Sequence, residues 1–132
     1  MSNRPVPTPD AETAPFWQGA EAGQLKIQRC TACDHAIFYP RLVCPACMTE
    51  DPAWVDASGQ ATIHALTTVH RTGPAFREDV PFAVALVELA EGPRMMTRIL
   101  LQQPEALRIG DAVQVSFVPQ PEGPPLPFFI PC

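Results

Sequence analysis

Four of the five cysteines fall in two matching pairs, Cys30-Thr-Ala-Cys33 and Cys44-Pro-Ala-Cys47, with ten residues between the pairs. Two residues between thiols let a tight turn aim both sulfurs at one ion. Two such turns brought face to face by a hairpin complete the tetrahedral four-sulfur shell that suits Zn(II). Iron takes the same four ligands, so the pattern names a metal site before it names the metal. A closed shell of thiolates leaves no position for water or substrate, and the expected single Zn(2+) is therefore structural rather than catalytic. About thirty residues around it bury little core of their own, whereas zinc can supply on the order of 10–16 kcal/mol of apparent folding free energy.

Other uses of the cysteines fit less well. Disulfides belong to secreted chains, and Met1 to Asp10 holds one arginine, three prolines and no apolar stretch, unlike a secretory signal. A redox Cys-x-x-Cys comes singly and on a βαβ background that this sequence lacks. Cys132, the last residue, reads as a free thiol, and His35 adds nothing to a shell that four sulfurs already fill. Zinc knuckles commonly carry glycine after the second cysteine, where the chain turns left-handed; Asp34 and Met48 stand there instead. Aspartate tolerates that conformation and methionine does so less well, which predicts a strained or differently turned second knuckle.

No Gly-rich phosphate loop, Gly-x-Ser-x-Gly or His-Glu-x-x-His appears, and no catalytic residue is expected. His64 and His70 read as half-buried or surface residues sharing a strand face with Leu66 and Thr68. Nine Lys plus Arg stand against fourteen Asp plus Glu, a net charge of −5. That sign opposes the counterion-displacing stripe of a nucleic-acid binder, so no nucleic acid is expected as partner. A single-stranded nucleic-acid-binding module remains the alternative reading, and it would need stacking aromatics on a basic groove. No apolar run approaches the ~18–20 residues that span a bilayer. The expectation is a soluble, cytoplasmic protein with no membrane contact.

The elements that must position the cysteines follow from composition and pattern. Seventeen of 132 residues are proline, which disfavours long helices and favours short strands joined by rigid turns. Residues 1–8 read as a mobile tail and residues 9–22 as a helical segment. In that segment Thr8 caps, Pro9 sits in the first turn, Pro15 limits the length, and Phe16-Trp17 begin a second turn or helix. Residues 23–57 form the metal ribbon, with strands at Gln24–Arg29 and Ile37–Tyr39, while Trp54 and Val55 lead to a border at Ser58-Gly59. From 58 to 132 the reading is all β. Strands are expected at Ala61–His70, Pro81–Leu89 (buried on both faces), Arg94–Leu101, Val113–Phe117 and Leu126–Ile130. A helical turn at Pro104–Leu107 lies between the third and fourth. Five strands of this order fit a small closed barrel of the oligonucleotide/oligosaccharide-binding type, the OB-fold.

A family resemblance rests on particular runs. They are Phe16-Trp17-Gln18-Gly19, Gly23-x-Leu25, Gln28-Arg29-Cys30-x-x-Cys33, Tyr39-Pro40-Arg41-x-x-Cys44-Pro45-x-Cys47, Ser58-Gly59, Thr67-Thr68-Val69-His70-Arg71, Val87-Glu88-Leu89 and Glu91-Gly92-Pro93. With these the chain resembles, over about residues 14–130, the zinc-ribbon/OB-fold family tied to acyl-coenzyme A metabolism, long described as a domain of unknown function. The resemblance implies a mainly β fold: N-terminal short helices, a rubredoxin-like zinc ribbon and a C-terminal five-stranded OB-fold barrel. It also implies a non-catalytic accessory subunit, held in a hetero-oligomer with a thiolase-superfamily enzyme and helping to bind or pass acyl-CoA. Under that expectation Arg41, Arg71 and Arg77 are candidate contacts for coenzyme A phosphates. Phe16, Trp17, Phe128 and Phe129 are candidate partner-binding residues.

Overall fold

The computed structural model describes residues 4–132. Among the described residues one α-helix, α1 (Ala14–Glu21), precedes eight strands. These are β1 (Lys26–Arg29), β2 (Ala36–Ile37), β3 (Ala53–Asp56), β4 (Gln60–Val69), β5 (Phe82–Leu89), β6 (Arg94–Ile99), β7 (Ala112–Val118) and β8 (Leu126–Pro131). The first three form an antiparallel sheet in the order β2-β1-β3, and the remaining five close a barrel in the order β4-β5-β6-β8-β7. This is the mainly β ribbon-plus-barrel architecture expected.

The N-terminal helix begins later than its proline pattern suggests. Asp10 organises a turn first: its Oδ1 accepts from the backbone N–H of Glu12 and of Thr13, each at 3.0 Å. Thr13 is then the N-cap, and Pro15 falls in the first turn rather than ending the helix. Its fixed φ and missing donor cost nothing there. Gly19 is required by proximity, since a Cβ on it would lie 2.5 Å from Lys26 Cγ and 2.7 Å from the Gln24 carbonyl oxygen. That close approach lays the helix on β1 and carries Phe16 into the core.

The expected tail is in part anchored. Its first three residues lie outside those described, but Arg4 pairs with Asp79 and stacks over the Phe76 ring at 5.5 Å. A Cβ on Gly123 would collide with Val6, so the two segments touch. The loop over 71–79 contains a 3-10 turn, Pro74–Asp79, that supplies this anchor.

Three strand expectations need correction. Trp54 and Val55 do more than lead to a border: they sit in β3 and pair with β1 in the registers Ile27↔Val55 and Gln28↔Trp54. β5 is not buried equally on both faces. Alternate residues Ala83, Ala85, Val87 and Leu89 are buried and those between are half-buried, because the outer face of a barrel meets less protein than its interior. In β4 the register slips between Ile63 and Ala65. The bulge leaves His64 exposed and breaks the alternation that would put it on the face of Leu66 and Thr68.

One apolar core runs through both modules. Phe16, Leu25 and Ile27 from the helix and ribbon join Ile63, Val87, Leu89, Met95, Ile99, Val113 and Phe129 of the barrel. The barrel closes at its weakest seam, where parallel β6 and β8 share the single pair Ile99↔Phe129. Leu100 N–H donates there to the Phe129 carbonyl at 2.8 Å, so β8 residues in step with Phe129 face β6. Pro127 and Pro131 are in that step and have no N–H to give. The Thr97 hydroxyl spans part of the gap by donating to the Pro127 carbonyl at 2.8 Å.

Candidate metal centre and its surroundings

The two cysteine pairs form near copies of one turn. Asp34 N–H donates to the Cys30 carbonyl at 3.0 Å, and Met48 N–H to the Cys44 carbonyl at 2.9 Å. Cys30 N–H in turn donates to the His35 carbonyl and Cys44 N–H to the Thr49 carbonyl, both at 2.9 Å. Backbone donors also aim at sulfur: Ala32 N–H lies 3.4 Å from Cys30 Sγ and Ala46 N–H 3.4 Å from Cys44 Sγ. Asp34 and Met48 have φ of 65° and 66°, so both occupy the left-handed position where a knuckle usually holds glycine. The second knuckle is therefore turned like the first: it is not differently turned, and the strain expected there falls on Met48, which holds the left-handed conformation without glycine.

All four sulfurs lie within 4.8 Å of one another, with Cys30–Cys47 at 3.5 Å and Cys33–Cys44 at 3.7 Å. Tetrahedral Zn–S bonds of ~2.3 Å place ligand sulfurs about 3.8 Å apart. The residues present fit a four-thiolate metal ion. Cys30 and Cys44 are buried and Cys33 and Cys47 exposed, and Ile37 packs beside the buried pair.

Sulfurs held this close without a cation do not ionise together. Cys47 is drawn down to about 6 by the Thr49 hydroxyl, then by the Thr49 backbone and by Cys30 and Cys33. At Cys33 a backbone bond from His35 pulls downward, yet contact with Cys47, burial and the other two thiols together push it up to about 12. Cys30 is lowered, chiefly by the Cys33 backbone N–H. A bound cation would remove the mutual repulsion of the thiolates and hold all four deprotonated.

The other singled-out residues are dispersed. Arg41 lies in a cleft of about 330 Å³ between ribbon and barrel, with His35, Phe38, Pro93 and Arg94. Its main chain is clamped by buried Gln28, whose Oε1 accepts from Arg41 N–H at 2.7 Å and whose Nε2 donates to the Arg41 carbonyl at 2.9 Å. Arg71 and Arg77 belong to the loop before β5, whereas the Arg41 cleft is walled by the turn after β5. Eight strand residues separate those ends by roughly 20–25 Å, so the three arginines do not converge on one phosphate. All three guanidinium groups are exposed and make no hydrogen bond or ion pair among the described residues.

Burial divides the aromatic candidates. Phe16 is 6% exposed and packs edge-on to Trp17 at 4.9 Å, and Phe129 is fully buried in the barrel. Both serve this chain's own core and offer no surface to a partner, which corrects the expectation for them. Trp17 and Phe128 are half-buried. A cluster that sequence reasoning missed lies near Phe128: Arg98 stacks on Phe82 at 4.4 Å, faces Phe128 at 5.8 Å and pairs with Asp79 at 3.0 Å. Asp79 also holds Arg4, a contact across 75 positions that local pattern does not signal. Among the described residues, no helix is long and apolar enough to cross a membrane.

A four-sulfur cage on a three-stranded ribbon, joined through one core to a five-stranded barrel, defines a zinc-ribbon/OB-fold protein. The ribbon matches the family model for the ChsH2 rubredoxin-like zinc ribbon domain over residues 17–52, and the barrel that for the ChsH2 C-terminal OB-fold domain over 54–118. The chain belongs to this family, also called DUF35. It is 31% identical over 80% of its length to a "DUF35 domain-containing scaffold protein" of Methanothermobacter thermautotrophicus, covering 81% of that protein. It is 33% identical over 97% of its length to a "Probable enoyl-CoA hydratase alpha subunit" of Thermomonospora curvata. It spans 40% of that subunit, and 37% of the 3-oxo-4,17-pregnadiene-20-carboxyl-CoA hydratase alpha subunit of Mycobacterium tuberculosis. Among solved structures it is similar to a chain of the "Ltp2-ChsH2(DUF35) aldolase", with a TM-score of 0.84 and 32% identity over 95% of this chain and 98% of that one.

Proposed function

We propose that this chain is a non-catalytic accessory subunit that scaffolds a thiolase-superfamily enzyme in a hetero-oligomer. The partner would be a thiolase, a lipid-transfer-protein-type aldolase or an acyltransferase. The likeness to nearly the whole of one chain of the Ltp2-ChsH2(DUF35) aldolase carries this reading. The scaffold name of the archaeal relative supports it. The structural ion is Zn(2+), and the setting is the cytoplasm. In the assembly the subunit helps to hold acyl-CoA. Arg71 and Arg77, exposed in the loop before β5, are the candidate phosphate contacts at one barrel end, and Arg41 is a separate one at the other end. Half-buried Trp17 and Phe128 are candidate partner contacts.

Co-expression with a thiolase-type enzyme from the same genome tests the reading. The two chains should co-purify in fixed ratio, and the enzyme should lose activity or solubility when this chain is withheld. An enzyme equally soluble and active alone would overturn it. Elemental analysis should find one zinc per chain; iron in its place would correct the ion while leaving the cage.

A further inference from the structure

We infer that the partner enzyme docks on the outer barrel face formed by β5, β6 and β8, and that it presents there an apolar surface with one carboxylate aimed at Arg98. The inference rests on the accessory reading for the existence of that partner and adds the surface and its chemistry.

The outer face divides into a polar and an apolar part. Paired residues on neighbouring strands share a face, so Val84↔Arg98 and Leu86↔Met96 stand together on the outside, while Ala85, Met95 and Thr97 are buried. Phe82 continues the β5 row, and Phe128, next to buried Phe129, brings the β8 row beside them. One step further along the same ladder the outward pair is Glu88↔Arg94, and β7 turns Gln114 and Ser116 outward. Aromatic and aliphatic side chains, a methionine and an arginine thus gather at one end, the mixture that fills the centre of protein interfaces. Met96 is 63% exposed and Phe82, Val84, Leu86 and Phe128 are half-buried, so the patch is open to solvent.

Charge selects the occupant. Asp79 Oδ2 accepts from Arg98 at 3.0 Å and also from Arg4, so one carboxylate answers two guanidinium groups and a positive charge is left over. Arg98 uses a single nitrogen, Nη1, for that bond; among the described residues its Nε and Nη2 have no hydrogen-bond partner. The group is held in place by its stacking on Phe82 at 4.4 Å and by the Phe128 ring at 5.8 Å. Beside it a cleft of about 900 Å³ opens, lined also by Asp79, Phe82, Leu100 and Leu101. A partner carboxylate entering this cleft would meet the free edge of the guanidinium, while the apolar side chains around it lie on Val84, Leu86 and Met96. A second copy of this chain docked by the same face would bring another Arg98 in place of a carboxylate, which disfavours self-association.

The test is co-expression with the thiolase-type enzyme of the same genome, followed by affinity capture of the metal-loaded full chain. Met96→Glu and Leu86→Glu put charge into the apolar part and should each weaken capture at least about tenfold. Met96 is exposed enough that its variant keeps the fold. Arg98→Gln should weaken capture to a similar degree, with thermal melting to show that the chain still folds. Gln114→Glu, on the polar part, should capture as the parent does. Met96→p-benzoylphenylalanine should photo-crosslink this chain to the enzyme. Undiminished capture by both Met96→Glu and Leu86→Glu, or crosslinks joining only two copies of this chain, would overturn the docking face and leave the scaffold reading standing. Undiminished capture by a folded Arg98→Gln would overturn the carboxylate, and with it the inference as stated. If the parent itself captures no enzyme, the scaffold reading falls and the docking face falls with it.

Discussion

Asp34 and Met48 hold the same backbone conformation, φ 65° and 66°, at equivalent places one residue beyond the second cysteine of each knuckle. The left-handed region costs a residue with a Cβ roughly 1–2 kcal/mol relative to its ordinary conformations. Asp34 recovers part of that cost, since Arg29 donates to its carbonyl at 3.0 Å and approaches its carboxylate. Met48 is 73% exposed and gains little from packing. Met48→Gly should therefore stabilise the metal-loaded protein by about 0.5–1 kcal/mol, after allowing for glycine's larger unfolded entropy. Asp34→Gly should gain less. Thermal denaturation of both variants decides it, and a lower midpoint for Met48→Gly would refute the argument.

Metal removal should act beyond the ribbon. Cys30 and Cys44 are buried beside Ile37, and the ribbon's Leu25 and Ile27 belong to the same core as the barrel. Cys44→Ser or a strong chelator should unfold residues 23–57 and lower the barrel's midpoint as well. Protons must leave when the ion enters: Cys33, pushed up to about 12, is a thiol at neutral pH. Apparent affinity should thus rise by at least about tenfold per pH unit near neutrality, measured by chelator competition. A pH-independent affinity would contradict the cage as described.

How much of this was legible beforehand depended on range. The cysteine spacing sufficed for the cage because both knuckles are local turns, and the barrel strands announced themselves through runs rich in β-branched residues and free of Gly or Pro, such as Ala61 to Val69. β3 did not, because four residues after Asp51-Pro52 show no period of their own; pairing with β1 makes them a strand. The bulge at His64 shifts phase without any glycine to mark it. Residues 4–7 read as a tail because Arg4 finds Asp79 only through the fold. Phe129 looked available to a partner since pattern alone does not separate a barrel's last strand from an apolar arm.

The Arg4–Asp79–Arg98 cluster gives a pH dependence with a definite sign. Burial alone would raise the Asp79 pKa, but hydrogen bonds from Arg98 and Arg4 outweigh it and hold it below the usual carboxylate value. A carboxyl depressed on folding stabilises above its unfolded pKa and loses that contribution as pH falls through the folded one. Asp79→Asn should cost about 1–3 kcal/mol at neutral pH and flatten the fall in stability below about pH 4. Arg4→Ala should release the N-terminal segment to protease while moving the midpoint much less. An acid limb as steep in Asp79→Asn as in the parent would assign the dependence elsewhere.

Two glycines separate the cost of a conformation from the cost of a contact. Gly23 (φ +78°) and Gly59 (φ +82°) share the left-handed region, so alanine at either position incurs the same backbone penalty, on the order of 1 kcal/mol. Around Gly23 a Cβ meets nothing within 4 Å, while at Gly59 it would stand 2.7 Å from Val115 Cγ1. Val115 N–H also donates to the Gly59 carbonyl at 2.8 Å, so backing away would strain a bond that ties β7 to the start of the barrel. Gly59→Ala should therefore exceed Gly23→Ala by a further 1–3 kcal/mol or so, the usual range for overpacking. In a chain of this length each kilocalorie moves the midpoint by roughly 3–5 °C, which thermal melts of the metal-loaded variants resolve. Equal midpoints for the two would mean that Val115 yields freely and that the ribbon–barrel border tolerates more than its packing implies.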